Sequence, residues 1–160
     1  MRGPGRIRLQ VCIALSLLYI CDASNSMMPN GFQPLKNSKS MDALAISTGA
    51  VVGALARHNM CEVAARMQMK PWGVAAINVA GSFVLGAVAA SAPVPPRMKL
   101  LIGTGFCGSF TTFSTFSVDT VQMMQAGQAR KAIAYVMVNN VMGIGAAGAG
   151  MMLFAGKLKP

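Results

Sequence analysis

Charged residues cut the chain into long apolar runs. Four stretches carry no charge at all: 43–56, 71–96, 100–118 and 132–156. A bilayer-crossing helix needs about 20 predominantly apolar residues, within a range of roughly 17–25. The second and fourth stretches meet that length. The third is long enough, and the first reaches it with Met41 and Arg57 at the interfaces. Pro93-Val94-Pro95-Pro96 closes the second, because proline cannot continue a helix. The polar segment 125–130, with Gly127, makes the turn between the third and fourth. The pattern therefore predicts an all-α membrane protein with four transmembrane helices, at about 41–58, 71–92, 98–124 and 131–156.

The N-terminal segment has a different pattern. Arg2, Arg6 and Arg8 precede a short apolar run, 11–20, and Cys21-Asp22-Ala23 supplies small residues for a cut after Ala23. That run is too short to span, so 1–23 reads as a signal or targeting peptide. Residues 24–40 read as a linker or transit-like segment, and 41–160 as the membrane domain.

Composition narrows the function. Hydrophobic residues make up 54% and charged residues 11%, against roughly 25% charged in ordinary soluble domains. The acids are Asp22, Asp42, Glu62 and Asp119, and the one histidine is His58. So few titratable groups argue against hydrolases and carboxylate-bound metals, and no enzyme is expected. Cys12, Cys21, Cys61 and Cys107 form no CxxC pair and match no zinc spacing. The net charge of +10 sits in small clusters between apolar runs, the placement of a membrane protein, so nucleic acid is not an expected partner.

Alternating loops put Arg97, Lys99, Lys157 and Lys159 on one side, joined by Lys36 and Lys39 if these are retained. Arg57, Arg66, Lys70, Arg130 and Lys131 fall on the other. The positive-inside rule needs a clear bias to orient a protein, and this count supplies none. Four helices also enclose little, so a conduction path calls for a dimer, and balanced charge permits an antiparallel one.

The third run is a poor plain helix. Gly103, Gly105 and Gly108 lead into Ser109-Phe110-Thr111-Thr112-Phe113-Ser114-Thr115-Phe116-Ser117. Irregular backbone at membrane depth is tolerated where it is buried in protein or lines a cavity. A break here frees carbonyls for a cation and N–H groups for an anion. Residues 103–108 also fit GxGxxG, but no βαβ unit surrounds them and no acid follows at the required distance.

Three segments together resemble the CrcB/Fluc fluoride channel family. They are Gly105-Phe106-Cys107-Gly108 with Thr111-Thr112-Phe113-Ser114-Thr115-Phe116, Asn78-Val79-Ala80-Gly81-Ser82-Phe83-Val84-Leu85-Gly86, and Gly53-Ala54-Leu55-Ala56-Arg57. The resemblance spans about 44–155. It implies a dual-topology homodimer with a third helix broken near its middle, two fluoride pores and a central structural sodium ion. By that resemblance, sodium sits on the backbone carbonyls of Gly108 and Thr111 from both subunits. The pore phenylalanines are Phe113 and Phe116, the second-helix pore asparagine is Asn78, and Ser114 and Thr115 are expected to line the fluoride pore beside them. A fourth-helix polar track starts at Tyr135. Its next position, commonly serine, is Asn139 here, and the one after is Gly143. The family's late third-helix Glu is Asp119.

The chemistry is compatible with that assignment. Fluoride is small and strongly hydrated, so a pore must replace its water with donors such as amides and hydroxyls. Phe113 and Phe116 share a helical face, and ring edges are weakly positive. The expected function is passive, fluoride-selective export across the lipid bilayer of a plasma or organelle membrane, relieving fluoride toxicity. The alternative is a small four-helix proton-coupled multidrug exporter, but that pump needs a membrane-embedded carboxylate, and 43–56 has none.

Overall fold

Helices account for nearly all of the described residues, starting with one that runs from Lys39. The computed structural model describes residues 39–91 and 94–155, so the expected signal peptide and the cut after Ala23 lie outside the described residues. Among the described residues, seven α-helical elements occur in order: α1 (Lys39–Arg66), α2 (Trp72–Ala90), α3 (Pro96–Lys99), α4 (Gly108–Phe110), α5 (Phe113–Gln125), α6 (Ala129–Met137) and α7 (Gly143–Ala155). Two wider π-helical stretches, Leu100–Cys107 and Val138–Met142, join α3 to α4 and α6 to α7. There is no strand among the described residues. Among the described residues, two helices are long and apolar enough to cross a membrane: Trp72–Ala90 and the continuous path Ala129–Ala155.

The helix ends follow local chemistry. α1 runs well past the expected boundary near residue 58. His58 and Arg66 flank Glu62 at i,i+4 spacing, at 3.6 and 3.5 Å, on an exposed face. Such pairs support a helix beyond the apolar run that a charge-bracketing argument detects. At the start of α1, Asp42 lies in the first turn, where a carboxylate complements the helix dipole. It is buried and sits 3.7 Å from Arg97, so it ties α1 to the segment that opens the third span.

Glycine sets the packing. A Cβ at Gly49 would lie 2.0 Å from the Leu101 carbonyl oxygen, and one at Gly53 would lie 2.3 Å from that of Phe106. In the reverse direction, a Cβ at Gly105 would meet the Ile46 carbonyl at 2.5 Å. α1 and the first π-helical stretch therefore touch backbone to backbone. α2 and α7 do the same: a Cβ at Gly86 would meet Ala147 O at 2.2 Å, and one at Gly150 would meet Phe83 O at 2.3 Å. Without water to drive apolar faces together, such close approach supplies the dispersion contact that holds membrane helices. The cluster of buried side chains among the described residues is correspondingly small: Ala75, Phe116, Met123, Ala132 and Tyr135.

These contacts predict a sharp contrast. Gly86→Ala or Gly150→Ala should each destabilise the fold by about 1–3 kcal/mol, because the obstructing atoms are backbone and cannot rotate away. Met152→Ala, at a side chain 82% exposed in α7, should change stability by no more than about 0.5 kcal/mol. Thermal unfolding of purified protein in detergent reads both.

Candidate functional site

The helical path stops between α4 and α5. Thr111 (φ −76°, ψ 156°) and Thr112 (φ −146°, ψ 111°) are both extended. An interruption at this depth exposes backbone polar groups that need partners. Asn78, on α2, meets that need. Its Oδ1 accepts the Thr112 N–H at 2.8 Å, and its Nδ2 donates to the Thr112 carbonyl at 3.2 Å. One side chain thus satisfies both main-chain groups of one residue.

Thr112 then starts α5. As the N-cap, its Oγ1 accepts the Thr115 N–H at 3.3 Å. The same hydroxyl donates to Thr115 Oγ1 at 3.0 Å and lies 3.3 Å from Ser114 Oγ. These bonds engage the two amides that an unbroken α-helix would aim at the Gly108 and Thr111 carbonyls.

Asn78, Thr112, Phe113, Phe116 and Asn139 line one groove of about 210 Å³, shared with Gly81, Ser82, Leu85, Thr111 and Asn140. Every lining residue is uncharged. The two phenylalanine rings are 5.6 Å apart and inclined at 51°. Phe116 is buried, whereas Phe113 is 78% exposed and faces outward from the chain. Behind Phe116 lies Tyr135, fully buried, with ring centroids 5.3 Å apart and Trp72 edge-on at 6.0 Å. The Tyr135 hydroxyl donates to Asp119 Oδ2 at 3.4 Å. Asn139 bridges the layers: its Oδ1 accepts from Asn78 at 3.0 Å and its Nδ2 donates to the Tyr135 carbonyl at 3.0 Å. It belongs to the second π-helical stretch, where the ladder shifts register and side-chain amides take up carbonyls.

The residues singled out in the sequence for the pore divide into three groups. Asn78, Phe113, Phe116 and Asn139 converge on the groove. Tyr135 supports it from behind. Ser114 and Thr115 cluster around the Thr112 hydroxyl, and Thr115 faces a second cavity of about 290 Å³ that Lys70 and Asp119 also line. Ser82, Thr112 and Asn140 were not singled out as groove residues. Ser82 carried a usable signal: it lies four residues after Asn78, on the same face of α2. Thr112 carried another, as a hydroxyl residue just before a helix.

Thr112→Val keeps the side chain's shape and its main-chain bonds to Asn78 but removes the cap. It should cost about 1–2 kcal/mol in unfolding free energy. Thr112→Ser should recover most of that loss, measured by the same detergent unfolding.

Comparison with known proteins adds an independent finding. The family description "CrcB-like protein, Camphor Resistance (CrcB)" matches residues 44–151. A protein of Koribacter versatilis named "Fluoride-specific ion channel FluC" is 36% identical over 117 residues, covering 69% of this chain and 93% of that protein. "Fluoride-specific ion channel FluC 1" of Streptomyces avermitilis is 43% identical over 120 residues, covering 69% and 94%. "Fluoride-specific ion channel FluC" of Methanocaldococcus jannaschii is 36% identical over 103 residues, covering 62% and 83%.

Proposed function

This chain belongs to the CrcB family, and from that premise we propose that it is a fluoride-selective ion channel. It is an integral membrane protein, not an enzyme, and it lets fluoride pass down its gradient. One observation carries the mechanism: the groove combines amide and hydroxyl groups with two phenylalanine rings and holds no charged side chain. Donors replace fluoride's hydration, and ring edges offer weak positive potential. A full positive charge in the groove would bind the anion too tightly, whereas conduction needs binding weak enough for release. The multidrug-exporter reading lacks the carboxylate it requires, since Asp119 lies behind the groove, hydrogen-bonded by Tyr135.

The working unit in this reading is an antiparallel homodimer. Phe113 is exposed in the single chain and the groove opens on its surface, which suits a path completed by a second copy. The balanced loop charges favour neither orientation of the chain.

A structural sodium ion at the dimer centre fits the same backbone. The Gly108 and Thr111 carbonyls are uncharged hard oxygens whose usual helical donors are engaged elsewhere, and unwound carbonyls of this kind hold Na⁺ in membrane proteins. Two carbonyls from each of two copies would form the donor set. The ion, when bound, supplies fixed positive charge inside the dimer.

Proteoliposomes loaded with fluoride test this reading. The expected result is rapid fluoride efflux at a fluoride electrode, with no chloride efflux under the same conditions. Phe113→Ile should lower fluoride flux by about fivefold, the scale set by losing one aromatic-edge interaction of roughly 1 kcal/mol. Unchanged flux in that variant contradicts a pore role for Phe113, and equal chloride release contradicts selectivity.

A further inference from the structure

α1 is longer than the apolar layer it enters. Its 28 residues span about 42 Å at a rise of roughly 1.5 Å each, against a hydrocarbon core of about 30 Å. The His58–Glu62–Arg66 ladder shows which end overshoots, since charged side chains belong outside the core. The projecting end has two faces. Met60, Val63, Ala64 and Met67 recur at helical spacing on the face away from the ladder. With Met69 and Ile77 they line a groove of about 310 Å³ between α1 and the start of α2, in which Asn59 is the only polar side chain. Met60, Val63, Met67 and Met69 are all exposed. Methionine is flexible enough to pack against a chain of variable shape. Trp72, the only tryptophan in the sequence, opens α2 beside this groove, and tryptophan favours the level of the lipid headgroups.

We propose that this groove holds an anionic phospholipid, with an acyl chain along the methionines and the phosphate at Arg66 and Lys70. Both cations are exposed, and they adjoin Met67 and Met69 in the chain. Glu62 takes up part of the Arg66 charge at 3.5 Å. Lys70 forms no ion pair among the described residues. A cationic rim beside an apolar groove matches the two halves of an anionic lipid. A second copy of the chain fits the rim less well, because it has no free carboxylate to offer there. Among the described residues, Asp42 sits beside Arg97, Glu62 is held by His58 and Arg66, and Asp119 accepts from Tyr135. The lipid groove shares no lining residue with the groove of Asn78 and Phe113. The proposal therefore needs only a protein that sits in a membrane, and stands apart from the fluoride-channel reading.

Trp72 makes the full chain its own reporter. The protein is reconstituted in phosphatidylcholine vesicles that carry a minor, fixed fraction of either brominated phosphatidylglycerol or brominated phosphatidylcholine. Quenching of Trp72 fluorescence by bromine is then read. The expected result is a relative affinity about fivefold higher for phosphatidylglycerol, the scale for one net cation at an anionic headgroup. Arg66→Gln with Lys70→Gln should abolish that preference. Arg130→Gln with Lys131→Gln removes the same charge from the start of α6, at the same end, and should leave it intact. Ala76→Leu fills the groove at an exposed position, keeps both cations and should also lose the preference. Equal quenching by the two lipids in the wild type overturns the headgroup contact. No quenching by either means that a second copy covers the groove, which overturns the lipid site. A preference lost equally in both double variants is general surface charge, and one that inorganic phosphate removes belongs to the free anion; each overturns the proposal. A preference that survives Ala76→Leu places the lipid outside the groove and overturns it as well.

Discussion

Two hydrogen bonds between the Asn78 amide and the main chain of Thr112 are what the rest of the site depends on. Water is scarce at membrane depth, and each unsatisfied backbone group there costs several kcal/mol. An extended Thr111–Thr112 pair is therefore sustainable only if something supplies both a donor and an acceptor at Thr112. A primary amide does so within one side chain. From that clamp the remaining geometry follows. Thr112 is held where its hydroxyl caps α5, the cap aims Phe113 and Phe116 along the groove, and the second Asn78 hydrogen reaches Asn139.

The clamp works because the helices around it are fixed by backbone contact. Gly49, Gly53 and Gly105 let α1 lie against the first π-helical stretch, and Gly86 and Gly150 let α2 lie against α7. α2 carries Asn78, so its seating decides where the amide falls. This also accounts for a core of only a few large side chains in a chain with many exposed apolar ones. Those outward faces suit lipid and the second copy proposed above, while the polar groups converge inward.

Much of this was legible in the sequence, for identifiable reasons. Charge-free runs located the helical segments, since a helix that leaves water behind must lose its charges first. The exception was the end of α1, where the His58–Glu62–Arg66 ladder carries the helix on after the apolar pattern ends. The glycines of 103–108 pointed to irregular backbone, yet they lie within a continuous wide-turned helix or at its end. Gly105 serves close approach to α1, and the extended residues are the threonines that follow. Glycine signals either purpose, and a one-dimensional pattern cannot tell which. The motif pointed to Asn78, Phe113, Phe116 and Asn139, which line one groove. The bonds from Asn78 to Thr112 and to Asn139 span 34 and 61 residues and needed coordinates.

The central claim is that an uncharged groove selects fluoride and passes it without coupling. Current through planar bilayers holding the wild-type protein, under opposed fluoride and chloride gradients, tests it most directly. The account predicts a reversal potential at the fluoride equilibrium value that does not move when chloride is varied. Reversal that follows chloride, or that shifts with a proton gradient, would contradict it.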